Sequence, residues 1–361
     1  MSSVSCGIVG LPNVGKSTLF NALTNNNILA ANYPFATIEP NTGIVPVPEE
    51  RLASLSDIYP GSKIVPATIT FVDIAGLVAG ASEGEGLGNR FLSHIWSCQT
   101  IIQVVRAFED SNVTHVSEVH DPKKDIDVIN TELILADLQT MSKRLSRFEK
   151  EARADPKLKP VLEAYQLVNT ILNQGEPLWN HTDINQKLIG DLQLLTMKPV
   201  IYVFNVDEDG LQSADLQEKL RKLIVPSKAI FICAKLENEL KDLDGADAIE
   251  LLSSYGQTES GLIQLIHAAY DQLGLQSYFT AGDKEVRAWT IPKGATAPEA
   301  AGVIHGDFER GFIAAEIVSY SDLMSAGSLT AARGAGKVRT EGKTYVMQAD
   351  DVVEFRFNVS K

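Results

Sequence analysis

Short, predominantly apolar runs at 4–9, 67–72, 100–105, 199–204 and 229–233 recur through the first three quarters of the chain. A strand covered on both faces needs apolar side chains at nearly every position, whereas a half-exposed strand alternates. The runs therefore predict buried strands, and a further strand is expected at 43–47. Between them, apolar residues recur at helical spacing: Leu19, Phe20 and Leu23, then Phe91, Leu92 and Ile95, then a stretch from Gly261 to Leu273. This alternation of strand and helix predicts an α/β fold built on a parallel sheet.

The period changes between about 125 and 198. Ile134, Leu138, Met141, Leu145 and Phe148 follow a 4-3-4-3 spacing, and Val161, Tyr165, Val168 and Leu172 repeat it after a break near Pro156. Two antiparallel helices zipped as a coiled coil are expected, inserted into the sheet domain, with their turn around 154–160. From about 276 the pattern is that of a small α+β module. Strands are predicted at 285–291, 313–319, 344–348 and 352–357, and Thr296-Ala-Pro-Glu299 reads as a capping box opening a helix through Ile304. The expected organisation is a nucleotide-binding domain at 1–125 and 199–275, a helical insertion at 126–198 and a C-terminal docking domain at 276–361.

Between the first strand and the first helix lies Gly10-Leu-Pro-Asn-Val-Gly15-Lys16-Ser17, a GxxxxGK[ST] phosphate loop. Backbone N–H groups of such a loop form a concave nest at a helix N-terminus, so Asn13, Val14, Gly15, Lys16, Ser17 and Thr18 are expected to cradle phosphates. Lys16 adds a point charge for the β and γ phosphates, and the Ser17 hydroxyl is suited to ligate Mg²⁺. The strand at 67–72 ends in Asp73-Ile-Ala-Gly76, a DxxG motif: Asp73 can hold a metal-bound water, and the Gly76 N–H can reach a γ-phosphate. Glycines at 80, 84, 86 and 88 suit a switch that senses the γ-phosphate, or a plain flexible loop. At two later strand ends, Asn205-Val206-Asp207-Glu208 and Ala234-Lys235-Leu236 fall where a base-binding edge forms. An Asn with an acid three residues on can read a purine, and the Ala-Lys turn can present backbone groups to it.

Charge narrows the partners. The 361 residues carry a net charge of −14, which opposes indiscriminate binding to nucleic-acid backbones, so DNA is not expected and RNA contact requires a local basic patch. Residues 143–159 hold seven basic side chains against three acidic ones, an excess of +4, and 333–343 an excess of +3. Each is a candidate RNA contact or a solvated face. No apolar run approaches the roughly 20 residues that span a bilayer, and no secretory signal is expected, which favours the cytoplasm. Cys6, Cys98 and Cys233 lack metal-site or disulfide spacing and are expected to be buried thiols.

Taken together, GLPNVGKST, NYPFATIEPNTG, FVDIAGLV, GEGLGN, NVDED and the tail YFTAG…KEVRAWTIPKGATAPEAAG closely resemble the Obg-like ATPases of the YchF family. The resemblance covers essentially the whole chain. It implies a Ras-like P-loop domain with a coiled-coil insertion, a C-terminal TGS domain of β-grasp fold, association with the ribosome and its RNA, and hydrolysis of ATP in preference to GTP. Thr37 occupies the family's switch position as a second Mg²⁺ ligand, ahead of Thr42. Asn13 matches a phosphate-loop Asn that coordinates K⁺ in related enzymes.

The base motif departs from the guanine-reading NKxD. Glu208 replaces the selecting Asp, its extra methylene moves the carboxylate, and Val206 is expected to cover the base where Lys would. Asp207, one residue early, leaves a route to guanine open. Leu77 follows DxxG where Ras-like hydrolases carry the water-orienting Gln, so His115 or His94 becomes a candidate water-activating group. Two alternatives to a nucleotide-switched ATPase stay open: a regulatory ribosome- or RNA-binding protein indifferent to its nucleotide, and a GTP-preferring switch. A phosphotransferase fits the motif series less well.

Overall fold

The computed structural model describes residues 4–24, 41–74, 87–108, 121–240, 243 and 245–358, with the backbone alone for 87–90. Its residues gather into two compact units, Val4–Ile44 with Thr70–Leu265, and Val45–Ile69 with the chain from Ile266 onward.

The first unit is built on a six-stranded sheet of order β2-β4-β1-β5-β6-β7. Its strands are β1 Ser5–Val9, β2 Thr42–Pro46, β4 Thr68–Asp73, β5 Thr100–Arg106, β6 Val200–Asn205 and β7 Lys228–Ile232. From β4 to β7 every neighbouring pair is parallel. Both β5 and β6 are buried along their whole length, as expected of strands covered on two faces. Parallel pairing gathers the carboxyl ends at one edge, and there Val9, Asp73, Asn205 and Ile232 hand the chain to the motif-bearing loops. Helix α1, Lys16–Thr24, buries Leu19, Ala22 and Leu23. The three cysteines are buried free thiols.

The insertion begins with a helix of 33 residues, Pro122–Ala154, whose Asp121 cap accepts from the Lys123 and Lys124 N–H groups. Asp155 accepts from Lys157 N at the turn, and Lys159–Asn173 returns antiparallel, its Tyr165 ring 4.8 Å from that of Phe148. The two helices occupy the insertion only as far as Asn173. The return helix ends at Asn173, before Gly175 at φ 78°, because a left-handed residue closes a helix. Short helical turns at 178–180, 186–189, 190–192 and 195–197 follow, and they are anchored by one carboxylate. Asp137, fully buried, accepts from Leu195 N (2.8 Å), Thr196 N (2.8 Å) and Thr196 Oγ1 (2.6 Å). The basic tip is real but diluted: Lys143, Lys150, Arg153 and Lys157 are exposed, while Arg144 pairs with Asp191, Arg147 with Glu151 and Lys159 with Glu163.

The second unit carries a mixed sheet of order β11-β10-β12-β8-β9-β3. The strands are β3 Lys63–Val65, β8 Leu275–Ala281, β9 Glu285–Pro292, β10 Phe312–Ser319, β11 Arg339–Glu341 and β12 Asp351–Phe357. The capping box forms as expected, Thr296 N donating to Glu299 Oε2 at 2.7 Å ahead of the helix Ala297–Ile304. One expectation fails: residues 344–348 contribute a bridge between Val346 and Thr296, not a strand, and β10 pairs with β11 and β12. A segment grouped by sequence with the nucleotide domain supplies β3, which pairs with β9 through Ile64 and Val286. The +3 loop is also largely matched, since Arg333 meets Glu316 at 2.6 Å, Lys337 meets Asp322 at 3.1 Å and Arg339 meets Glu341 at 3.7 Å.

Burial raises the Asp137 carboxyl to about 6, against the pull of its three donors. A carboxyl whose folded value lies above its ordinary 3.8 takes up a proton on folding, so its stabilising effect is complete below 3.8 and fades as pH rises through 6. Thermal melts of wild type and Asp137→Asn from about pH 4.5 to about pH 7.5 should show the wild-type advantage shrinking with rising pH. Asp137→Ala, which strands three buried donors, should lose about 3 kcal/mol at acid pH and less as pH rises through 6.

Candidate functional site

Each phosphate-loop glycine is fixed by the strand end it faces. Gly10 has φ 156°, and a Cβ there would lie 2.5 Å from the Val104 carbonyl oxygen of β5; Gly15 has φ 102°, and its Cβ would lie 2.5 Å from Asn205 Nδ2 of β6. Asn13 takes a left-handed φ of 62°, which Asn tolerates better than most residues. Val14 is fully buried while Asn13, Ser17 and Thr18 are exposed, so the loop is held from below and open above. Leu19 N donates to Gly15 O at 2.9 Å, closing the first turn of α1.

Lys16 is 7% exposed, and its Nζ donates to Leu11 O at 2.7 Å, folding across the loop. Burial lowers the pKa of its ammonium, and the negative charge of Asp73 opposes that shift. Ser17 Oγ donates to Asp73 Oδ2 at 3.2 Å, so the phosphate loop and the DxxG strand end meet as the motifs require. Asp73 N in turn donates to Asn41 O at 2.8 Å. Asp73 Oδ1 is buried and has no hydrogen-bond partner among the described residues. A hydroxyl and a carboxylate with an unsatisfied buried oxygen form a hard donor pair that fits Mg²⁺, which takes few protein ligands and keeps several waters. Thr37, Gly76, Leu77 and His115 lie outside the described residues. His94 is exposed on the helix Leu87–Ser97.

The base edge is assembled from β6, β7 and the turns after them. Asn205 is 8% exposed; its Nδ2 donates to Val14 O at 3.2 Å and its Oδ1 accepts from Ala234 N at 3.4 Å. One amide thereby joins the phosphate loop to both base motifs. Glu208 opens a short helix, Glu208–Gln212, and its Oε1 lies 2.6 Å from Lys235 Nζ. The hydrogen bond between them is the main reason that the Glu208 pKa falls and the Lys235 pKa rises.

Three details of the base edge differ from the sequence reading. Val206 does not stand free as a cover: it is 2% exposed and packs against Gly210. Ala234-Lys235-Leu236 is the first turn of a helix, Ala234–Leu240, and Leu236 points into the core at 2% exposure. Asp207 is no second reader, because its side chain caps the Glu208 helix by accepting from Gly210 N at 2.8 Å. That role was legible, since an Asp ahead of an acidic first turn is an N-cap signature. The Glu208–Lys235 pair, spanning 27 residues, was not.

Comparison with known proteins agrees with this architecture. Residues 5–136 match the family MMR_HSR1, described as "50S ribosome-binding GTPase", and residues 275–358 match YchF-GTPase_C, described as "Protein of unknown function (DUF933)". The chain is 50% identical to the ribosome-binding ATPase YchF of Bacillus subtilis, across 99% of this chain and 100% of that one. It is 48% identical to the protein of the same name from Haemophilus influenzae, across 98% and 99%. Among solved structures, the Schizosaccharomyces pombe YchF GTPase superposes with a TM-score of 0.86 at 39% identity, covering 98% of each chain.

Lys16→Ala removes a charge-assisted contact to phosphate, and isothermal titration should show nucleoside-triphosphate affinity reduced about tenfold to a hundredfold. Undiminished affinity would contradict the assignment of Lys16 to the phosphates.

Proposed function

The chain belongs to the YchF family, and from that premise we propose that it is a ribosome-associated, Mg²⁺-dependent ATPase acting as a nucleotide switch. The observation that carries the proposal is the meeting of Ser17 Oγ with Asp73 Oδ2 beside a buried Lys16, the arrangement a phosphate–metal site needs. Ribosome binding rests on the names of its relatives in Bacillus and Haemophilus, with the exposed lysines and Arg153 of the arm tip as the proposed RNA-facing surface. We read the mixed-sheet unit as a TGS-like docking domain, the insertion as a coiled-coil arm, and the protein as cytoplasmic. No described helix is long and apolar enough to cross a membrane.

Each residue has a stated task. The loop N–H groups from Asn13 to Thr18 cradle the phosphates, and Lys16 neutralises charge between β and γ. Ser17, Thr37 and, through a water, Asp73 hold Mg²⁺, whose charge when bound offsets that building up on the transferred phosphoryl group. Gly76 reports the γ-phosphate through its N–H, Asn13 supplies a K⁺ ligand, and His115 is the candidate to orient water where Leu77 cannot. Asn205 positions the loop against the base edge. Adenine is favoured because Glu208 replaces the Asp that guanine requires, and the capping role of Asp207 supports this by removing the alternative carboxylate.

Turnover should be slow, favour ATP over GTP by roughly tenfold or more, and fall when Na⁺ replaces K⁺. Ribosome co-sedimentation with ATP, ADP and no nucleotide tests the switch: pelleting should change with the nucleotide. Equal pelleting in all three would favour a nucleotide-indifferent binding protein.

A further inference from the structure

We propose that Lys235 is a positioning residue for base selection: by occupying Glu208 at 2.6 Å, it withholds from guanine the carboxylate at the reader position. The inference rests on the adenine preference proposed above and gives it a physical cause other than side-chain length. Guanine presents two adjacent donors, N1–H and N2–H₂, and is read by a carboxylate whose two oxygens are both free to accept in one plane. At this base edge neither nearby carboxylate meets that condition. Asp207 is committed to the Gly210 N–H at 2.8 Å, and Glu208 Oε1 is committed to the ammonium.

A methylene's extra length alone would be a weak filter, because a Glu side chain turns about one more bond and can swing its carboxylate back toward a base. An ammonium at hydrogen-bond distance opposes that swing. It also makes the edge a neutral pair, so the excess negative charge that would attract the guanine donors is cancelled locally. Adenine, which offers its 6-amino group and has no N1–H, does not need the carboxylate. It therefore does not have to break the pair.

Lys235 is well placed to do this without holding up the fold. Its side chain is 70% exposed, and the backbone beneath it is fixed independently by Asn205, which accepts from Ala234 N. Replacing the side chain removes the ammonium and leaves the helix start in place.

The test is a titration of the full chain with hydrolysis-resistant adenine and guanine triphosphate analogues, comparing wild type, Lys235→Met, Lys235→Arg, Glu208→Gln and the double variant K235M/E208Q. With the pair gone, Lys235→Met should bind the guanine analogue more tightly and narrow the adenine-to-guanine affinity ratio about threefold or more. Lys235→Arg, which keeps a cation on the carboxylate, should retain the wild-type ratio. In the Glu208→Gln background Lys235→Met should not change the ratio, because no carboxylate is left to release. An adenine preference unmoved by Lys235→Met, or moved equally in the Glu208→Gln background, would overturn the role of Lys235 alone. A wild-type chain that binds the guanine analogue as tightly as the adenine one would overturn the adenine reading and this inference with it.

Discussion

The site depends on one buried amide. Asn205 ends β6, donates to the Val14 carbonyl and accepts from the Ala234 N–H. The position demands a donor and an acceptor on one short, rigid side chain. Asp could not donate, and Ser would not reach both partners. Because the group is nearly dry, leaving either partner unmatched would cost about 1–3 kcal/mol. Gly15 answers to the same amide. Its φ of 102° and the 2.5 Å approach of Asn205 Nδ2 each exclude a side chain, so the sheet alone would require the glycine usually explained by phosphate. Gly10, against the Val104 carbonyl, repeats this at β5. The phosphate loop is thus set by two adjacent parallel strand ends.

Polarity follows the same geometry. The interior of the sheet is apolar, with Ile101, Ile102, Ile201 and Val203 at 1% exposure or less. Apart from Thr70 and Gln103 within β4 and β5, the buried polar groups of this sheet and its phosphate loop gather at the strand ends. Lys16, Asn205 and Arg106 are each under a tenth exposed, and each finds a backbone carbonyl, Leu11, Val14 and Phe108 respectively. Asp73 differs: one of its oxygens accepts from Ser17, and the other is buried and, like Thr100 Oγ1 and Gln103 Oε1 of β5, has no hydrogen-bond partner among the described residues. A buried carboxylate oxygen without a donor destabilises the unit by about 1–3 kcal/mol. A cation that coordinates oxygen would relieve this, and on the function proposed above the unmatched oxygen and the metal ligand are one feature of Asp73.

Legibility in the sequence followed locality. The strands β1 and β4 to β7 were readable because double coverage makes a strand continuously apolar, and the phosphate loop because its spacing is local. The capping box at Thr296 and Glu299 was readable for the same reason. Strand β8 was not: its alternation of buried and half-buried positions in Leu275–Ala281 gives a weaker signal, and β3 has three residues, two of them exposed. The basic loop near 333–343 looked like an RNA contact because its partners, Glu316 and Asp322, lie on other elements. Asp137 likewise shows nothing in sequence, since its donors stand 58 and 59 residues away.

The Glu208–Lys235 pair shows how such a nonlocal contact can matter for function while mattering little for the fold. With the lysine side chain 70% exposed, water screens the attraction, and pairs of this kind hardly affect folding equilibria. Selection among bases is a different quantity. It is the difference between two binding free energies, and an interaction common to both nucleotides cancels from it. In the proposed binding mode, phosphate contacts through Lys16 and the loop would be common to ATP and GTP, however strong they are. The pair enters only for the nucleotide that needs the carboxylate, so even a weak contact survives in the difference. Strong buried interactions around Asn205 set how tightly the loop is held, and on the proposal above a weak one at the rim sets which base it accepts.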